Sequence, residues 1–175
     1  MVTKGMVFAV FSLGIFLKFR KELFSFHRHG PYMFVSAQGL LLLFVLNSGS
    51  MFRAPWGPQQ AFSWALMYLS AGFALLGFYA LRRHGKPVQN WEDTSRLVQE
   101  GVFRFIRHPL YTSLMLLAVG VFLKDVSPWT TGACLVTLGF LVAASRVEER
   151  ENLVKFGIPY EHYILRTKRY LPFLV

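Results

Sequence analysis

The sequence predicts an all-α integral membrane protein with about five transmembrane helices, a C-terminal helical hairpin and a cytoplasmic tail. Of its 175 residues, 54% are hydrophobic, and the mean hydropathy is +0.39. The chain nevertheless carries a net charge of +10. A soluble domain of this size seldom combines such apolarity with so many cations, whereas proteins with several membrane spans do so routinely.

Five apolar segments account for the predicted spans. In chain order they cover residues 5–17, 31–46, 61–81, 109–123 and 128–145. A straight span needs roughly 20 residues to cross about 30 Å of hydrocarbon, so the first segment is short. A signal peptide is the alternative there, but no cleavage pattern of small residues follows, and Lys18, Arg20 and Lys21 close the segment like a stop-transfer flank. We therefore expect a retained helix.

The distribution of basic residues predicts the topology. If the loops after the first and third segments share one side with the tail, that side holds every Lys and Arg except Lys4, Arg53 and Lys124. The positive-inside rule then places the N-terminus outside and the C-terminus in the cytoplasm. Membrane lipids with anionic headgroups are the ordinary partner of such charge, and no nucleic acid is needed to explain it.

These features predict a single membrane domain over residues 1–175. Within it, 1–81 carries three N-terminal spans, 82–108 forms a cytoplasmic loop, 109–145 forms the helical hairpin, and 146–175 forms the cytoplasmic tail. The single cysteine, Cys134, lies in an apolar stretch and is interpreted as a packing residue. The sequence therefore predicts neither a disulfide nor a metal site.

Three local predictions concern the segments beside the hairpin. A short helix is expected over 95–100, ended by Gly101, and a second helix over 147–156, ended by Gly157. The tyrosines that follow are expected to lie against lipid headgroups. They are Tyr160, Tyr163 and Tyr170.

The junction before the fourth span carries the most informative motif. Residues 101–111 read Gly-Val-Phe-Arg-Phe-Ile-Arg-His-Pro-Leu-Tyr, and Pro109 suits the first position of a helix because its missing N–H would be unpaired there. Three or four free backbone N–H groups in that first turn, with the positive end of the helix dipole, favour anions. With Arg107 and His108 beside them, they predict a receptor for a carboxylate or a phosphate.

The tight connection between the last two segments forces their helices to run antiparallel. The fourth segment is only about 22 Å long at 1.5 Å per residue, so its cytoplasmic end should lie at or below the headgroup level. The residues expected to meet there are Arg107 and His108 on one helix and Arg146, Glu148 and Glu149 on the other. A cluster with both signs of charge suggests a zwitterionic ligand and a partner that arrives from the lipid.

Two blocks of the sequence resemble a known family. The first reads Leu97-Val98-x-x-Gly101-Val102-Phe103-Arg104-x-x-Arg107-His108-Pro109-x-Tyr111. The second reads Glu148-Glu149-x-x-x-Leu153-x-x-Phe156-Gly157-x-x-Tyr160-x-x-Tyr163, followed by Arg169-x-x-Pro172. In this order, flanking a hairpin, they are similar to the signature of the integral-membrane isoprenylcysteine carboxyl methyltransferases and of the wider group that includes phospholipid N-methyltransferases. The resemblance covers residues 95–175.

The resemblance implies that S-adenosylmethionine binds at the cytoplasmic face, where the tail completes the site. The cofactor contacts that it implies are Leu97, Val98, Phe103, Arg107, His108, Tyr111 and Glu148. Arg107 and His108 would meet the carboxylate of the cofactor, and Glu148 would meet its ammonium group. Arg146 is a catalytic candidate for holding an acidic acceptor, and Glu149 or His108 for removing a proton from an amine.

The predicted function is methyl transfer from S-adenosylmethionine to a membrane-associated acceptor, most like O-methylation of an isoprenylcysteine carboxyl group. Phospholipid N-methylation and S-methylation of a small thiol are alternatives, because the sequence does not distinguish a lipid-like acceptor from a small molecule. Two other classes also stay open. Membrane sterol reductases carry a similar Arg-His-Pro-x-Tyr hairpin but bind NADPH, and a non-enzymatic membrane scaffold would keep only the helices. The sequence does not indicate the oligomeric state.

Overall fold

The computed structural model describes residues 2–20, 23, 28–53, 55–85 and 96–171. These residues form six α-helices, and they contain no β-strand apart from an isolated parallel bridge between Ile106 and Lys168. The all-helical architecture is therefore confirmed over this part of the chain. The elements are α1 (Val2–Phe19), α2 (Gly30–Asn47), α3 (Pro58–His84), a 3-10 helix (Gly101–Arg104), α4 (Pro109–Phe122), α5 (Pro128–Phe156) and α6 (Ile158–Arg166).

Three of the helices are long and apolar enough to cross a membrane, namely α2, α3 and α5. Helix α4 is apolar but has only 14 residues, as expected for a segment too short to cross a full bilayer unless the bilayer thins around it. The first apolar segment forms the 18-residue helix α1. Three spans are thus supported among the described helices, and the five-span count stays a prediction.

Helix α5 continues well beyond its apolar part. The apolar residues 128–145 are followed by a polar stretch that stays helical to Phe156, which confirms the helix expected over 147–156. Gly157 then has a φ of +59°, a conformation that residues with a Cβ rarely adopt, and the chain turns there into α6. Glu149 consequently lies on the polar part of this helix, beyond its apolar stretch.

The expected helix over 95–100 is wrong. Residue 95 lies outside the described residues, and 97–99 have no regular secondary structure. Gly101, with a φ of +63°, begins the 3-10 helix instead of ending an α-helix. The physical reason is packing, because Val98 and Phe103 are both buried against Ala80 of α3, and an extended segment followed by a tight turn allows both contacts.

The described residues group into two compact units, one formed by 1–67 and 115–148 and the other by 68–114 and 149–175. The core of the first unit joins apolar residues of α2, α4 and α5. Leu43, Ala118 and Val121 are fully buried there, and Cys134 is 4% exposed. The interpretation of Cys134 as a packing residue is therefore confirmed.

Helices α3 and α4 approach each other closely at Gly120 in the first unit. The hydroxyl of Ser63 donates to the carbonyl of Gly120 at 2.7 Å, and a Cβ on Gly120 would lie 2.8 Å from Cγ of Met67.

We expect Gly120→Ala to destabilise the protein by about 1–3 kcal/mol, because the added methyl forces the helices apart. Melting of the detergent-solubilised protein measures this. Gly132→Ala, where a Cβ meets nothing within 4 Å, is the matched control, and equal melting of the two variants would contradict the close contact.

In the second unit, α3 holds the start of α4. The hydroxyl of Ser70 donates to the carbonyl of Ser113 at 2.7 Å. About two helical turns further along α3, Gly77 faces Leu110 so closely that a Cβ there would lie 3.0 Å from Cδ2 of that leucine. The junction around Pro109 is therefore fixed against the end of a helix long enough to cross the membrane.

Helix α6 packs its tyrosines inward. Tyr160 and Tyr163 are 2% and 4% exposed, so the prediction that they lie against headgroups is wrong, while Tyr170 is half-buried. The hydroxyl of Tyr163 donates to the carbonyl of Phe103 at 2.6 Å. Burial raises the pKa of Tyr163 above its usual range, so the hydroxyl stays protonated and remains a donor. Tyr163 thus anchors α6 to the 3-10 helix.

Candidate functional site

The second unit contains a buried carboxylate, that of Glu149. Glu149 accepts a hydrogen bond from Nε of Arg107 at 2.8 Å and another from Nε of Arg169 at 3.2 Å, both at Oε1. Nη2 of Arg169 donates to the other carboxylate oxygen, Oε2. The side chains of Arg107 and Glu149 are 8% and 9% exposed, whereas that of Arg169 is 28% exposed. The predicted meeting of Arg107 with an acidic residue of α5 is confirmed for Glu149.

Arg107 also fixes the tail of the chain. Its Nη1 donates to the carbonyl of Ile164 at 3.1 Å and to that of Thr167. The main-chain N–H of Arg107 donates to the carbonyl of Lys168 at 2.8 Å. One arginine therefore joins the start of α4, the end of α6 and the carboxylate of α5.

The tail occupies donors that the sequence assigned to an anion site. The N–H of His108 donates to the carbonyl of Arg169 at 3.1 Å, and the N–H of Arg107 is occupied by Lys168. Pro109 has no N–H to offer. The expectation of three or four free N–H groups at this helix end is therefore wrong, because Pro109 has no N–H and the pairing with the tail occupies that of His108.

His108 lies beside the carboxylate with one nitrogen unsatisfied. Its side chain is 3% exposed, and Nε2 lies 3.3 Å from Oε1 of Glu149, which is an ion-pair distance. Among the described residues this buried Nε2 has no hydrogen-bond partner. The imidazole packs edge-on against the ring of Tyr111, with 5.2 Å between ring centroids. The contact with Glu149 is thus the polar interaction of this nitrogen, and it makes His108 part of the same charged cluster as Arg107 and Arg169.

The electrostatics of the cluster keep Glu149 ionised. Burial alone would raise the pKa of Glu149, but the nearby His108 and the hydrogen bonds from Arg169 and Arg107 outweigh it and hold that pKa well below its ordinary value. The same carboxylate raises the pKa of Arg169. Two guanidinium groups against one carboxylate leave the cluster with an excess of positive charge, which favours an anionic group of a ligand.

The stability of this unit is expected to fall at acid pH because of Glu149. The pKa of Glu149 is lowered in the folded protein, whereas in the unfolded chain it is about 4.3, so the unfolded chain binds a proton first. The stability that ionised Glu149 gives to the folded protein is therefore complete when the pH is above the pKa of Glu149 in the unfolded chain. That stability is lost as the pH falls towards the lower pKa of Glu149 in the folded protein. Melting temperatures measured from neutral to acid pH should fall more steeply for the natural protein than for Glu149→Gln. Parallel curves would contradict this.

The apolar residues assigned to the cofactor lie in the same unit. Val98, Phe103 and Tyr111 are 6%, 8% and 7% exposed, and Leu97 is half-buried. Val98 and Phe103 share a cluster with Ala80. The structure thus brings these side chains into the unit that holds Arg107 and His108, and their contact with a cofactor stays a prediction.

Two predicted residues belong to the other compact unit. Arg146 is exposed and Glu148 is half-buried on α5, and neither forms a hydrogen bond or ion pair within the described parts of the chain. The roles of Arg146 as a holder of the acceptor and of Glu148 as a partner for an ammonium group therefore stay predictions.

The sequence interpretation missed Arg169 as a member of the cluster. This residue appeared in the second block, but its distance from the hairpin gave no reason to place it against Glu149. The structure brings Arg169 to Glu149 because the pairing of 105–108 with 168–169 returns the chain to the start of α4 after α6, and no local sequence signal indicates that pairing. Pro172, which closes that block, lies outside the described residues.

Comparison with known proteins gives two findings. A model of the phospholipid methyltransferase family matches residues 58–156. Two curated relatives from Oryza sativa, subspecies indica and japonica, are each named "Probable protein-S-isoprenylcysteine O-methyltransferase" and are 28% identical to the chain over 145 residues. The matched region is 82% of this chain and 64% of each relative, so the chain spans less than two thirds of their length. No solved structure matches the chain.

Proposed function

Because the chain belongs to the phospholipid methyltransferase family, we propose that it transfers a methyl group from S-adenosylmethionine to a membrane-associated acceptor. The observation that carries this proposal is the buried cluster of Arg107, His108, Glu149 and Arg169, all but the last of which lie inside the matched region. The names of the two relatives support methyl transfer, and the three apolar helices support a membrane setting.

The residues of the cluster fit this cofactor. When bound, S-adenosylmethionine supplies an electrophilic methyl group on a sulfonium centre, and it also carries a carboxylate and an ammonium group. The excess positive charge of the two guanidinium groups suits the carboxylate. Arg169, the most exposed member of the cluster, is the guanidinium best placed to reach a ligand. Glu148 remains our candidate for the ammonium group.

We assign Glu149 a positioning role in preference to that of a base. Both of its carboxylate oxygens accept hydrogen bonds from arginines, and its lowered pKa makes it a weak proton acceptor. It would hold Arg107 and Arg169 in place. His108 is then the candidate base for an amine acceptor, and Arg146 the candidate group for holding an acidic one.

The remaining work of the chain is alignment and exclusion of water. Methyl transfer is an in-line displacement, so the protein mainly has to hold the acceptor in line and keep the site dry. Val98, Phe103 and Tyr111 are buried apolar or aromatic side chains that suit this task, with Leu97 at the edge. We place the site at the cytoplasmic face, with the N-terminus outside, on the strength of the positive-inside rule.

Ligand-induced stabilisation tests the cofactor. S-adenosylhomocysteine should raise the melting temperature of the detergent-solubilised protein, whereas NADPH should not, because a ligand stabilises only the fold that binds it. The reverse result would favour a reductase. No response to either compound would favour a scaffold without a cofactor.

A labelled methyl-transfer screen tests the acceptor. We expect incorporation into a prenylated cysteine carboxylate, as the names of the relatives suggest. Incorporation into a phospholipid amine or a small thiol would instead support one of the other two acceptor classes. Carboxyl methyl esters are released by mild base, which separates O-methylation from N-methylation in the same sample.

A further inference from the structure

We propose that a basic cavity in the second unit binds the phosphate of an anionic phospholipid headgroup. The cavity has a volume of about 320 Å³. Its lining residues are Gln99, Arg104, Tyr163, Arg166 and Thr167. None of the residues assigned to the cofactor or to catalysis is among them, so this site is additional to the methyl-transfer site and does not depend on it.

The charge of the lining favours a phosphate. Arg104 ends the 3-10 helix and Arg166 ends α6, so two guanidinium groups reach the cavity from different elements. Both side chains are exposed, and within the described ranges neither has an ion pair or a hydrogen bond. No acidic residue lines the cavity, and the amide of Gln99 adds a further donor. The planar fork of a guanidinium group matches phosphate oxygens well.

The walls of the cavity are held in place by internal hydrogen bonds. The hydroxyl of Tyr163 donates to the carbonyl of Phe103 at 2.6 Å, and that of Thr167 donates to the carbonyl of Tyr163 at 2.6 Å. Behind them, Arg107 donates to the carbonyl of Ile164 at 3.1 Å. The two arginines therefore project from a fixed frame, which lowers the ordering cost of binding.

The position of the cavity favours a lipid as the source of the phosphate. Helix α3 is long enough to cross the membrane, and Ala80 near its end packs against Val98 and Phe103, the neighbours of Gln99 and Arg104. The last turn of α3 also carries Arg82 and Arg83, which mark a membrane surface. A cavity at this level lies where lipid phosphates are, and its volume suits a headgroup fragment rather than a whole lipid.

Native mass spectrometry of the full-length, detergent-solubilised protein tests the proposal. The protein is titrated separately with phosphatidylglycerol, with phosphatidylcholine of the same chain length and with inorganic phosphate. We expect one phosphatidylglycerol to bind tightly, and we expect the double substitution Arg104→Gln with Arg166→Gln to weaken that event roughly tenfold or more. The control is Arg96→Gln with Arg150→Gln, which removes the same charge from two exposed residues that do not line the cavity.

Each outcome bears on the proposal. The proposal is supported if the variant with Arg104→Gln and Arg166→Gln loses tight binding of phosphatidylglycerol, the control variant keeps it, and the melting temperature of both is unchanged. Equal weakening in the two variants would show that only the general surface charge attracts the lipid, and would overturn the site. Phosphatidylcholine bound as tightly as phosphatidylglycerol, or inorganic phosphate bound as tightly as either, would overturn recognition of an anionic lipid. Binding of S-adenosylhomocysteine is measured on the same variants and on the natural protein. If the natural protein does not bind it, the methyltransferase proposal is contradicted and the lipid site is not.

Discussion

Replacing Glu149 by alanine is expected to destabilise the protein by about 3–5 kcal/mol, the usual cost of removing one partner from a buried ion pair. The carboxylate is 9% exposed and is bound by Arg107 and Arg169. Without it, the nearly buried guanidinium of Arg107 loses its counter-charge while it stays tied to the carbonyls of Ile164 and Thr167. Denaturation of the detergent-solubilised variant measures the loss.

A double-mutant cycle separates the loss of the pair from the loss of volume. Glu149→Gln and Arg107→Gln should each be destabilising, and the double variant should be less destabilised than the sum of the two. The double variant removes both charges of the buried Arg107–Glu149 pair and leaves only the more exposed Arg169 without its carboxylate. Glu161→Gln, which changes an exposed acid of α6, is the matched control and should have little effect. Additive single effects, or a control as damaging as Glu149→Gln, would contradict the assigned role of the carboxylate.

The hairpin and its charged end could be predicted because strong local signals coincide there. Pro109 begins α4, the apolar pattern ends it within a few residues of the predicted position, and the short connection leaves α5 antiparallel. These signals were enough to predict that Arg107 and His108 lie near Glu149. The prediction succeeds because α4 and α5 follow each other directly in the chain, and the short turn between them fixes their relative direction.

The parts that sequence did not predict depend on distant contacts. The parallel pairing of Ile106 with Lys168 brings the tail back to the start of α4, and nothing in either segment alone indicates it. That pairing occupies main-chain donors expected to be free and adds Arg169 to the cluster. Likewise, Tyr160 and Tyr163 carry an interfacial composition, but their burial follows from where α6 docks.

Replacing Arg107 or Glu148 by alanine is expected to weaken binding of S-adenosylhomocysteine at least tenfold, which corresponds to about 1.4 kcal/mol. Arg107 holds the cluster that we assign to the cofactor carboxylate, and its loss leaves the buried Glu149 with one guanidinium fewer. Glu148 is half-buried, and we assign it to the ammonium group. Calorimetric titration of each purified variant, at a temperature where it is shown to be folded, measures the change.

The controls distinguish a binding defect from general damage. Cys134→Ser alters a buried core residue of the first unit and Glu161→Ala removes an exposed acid, so both should keep the natural affinity. Unchanged affinity in both Arg107→Ala and Glu148→Ala would refute the assignment of the pocket. If Arg107→Ala and Arg169→Ala weaken binding while Glu148→Ala does not, the carboxylate end of the ligand is correctly placed, and its ammonium group must be met by a residue other than Glu148.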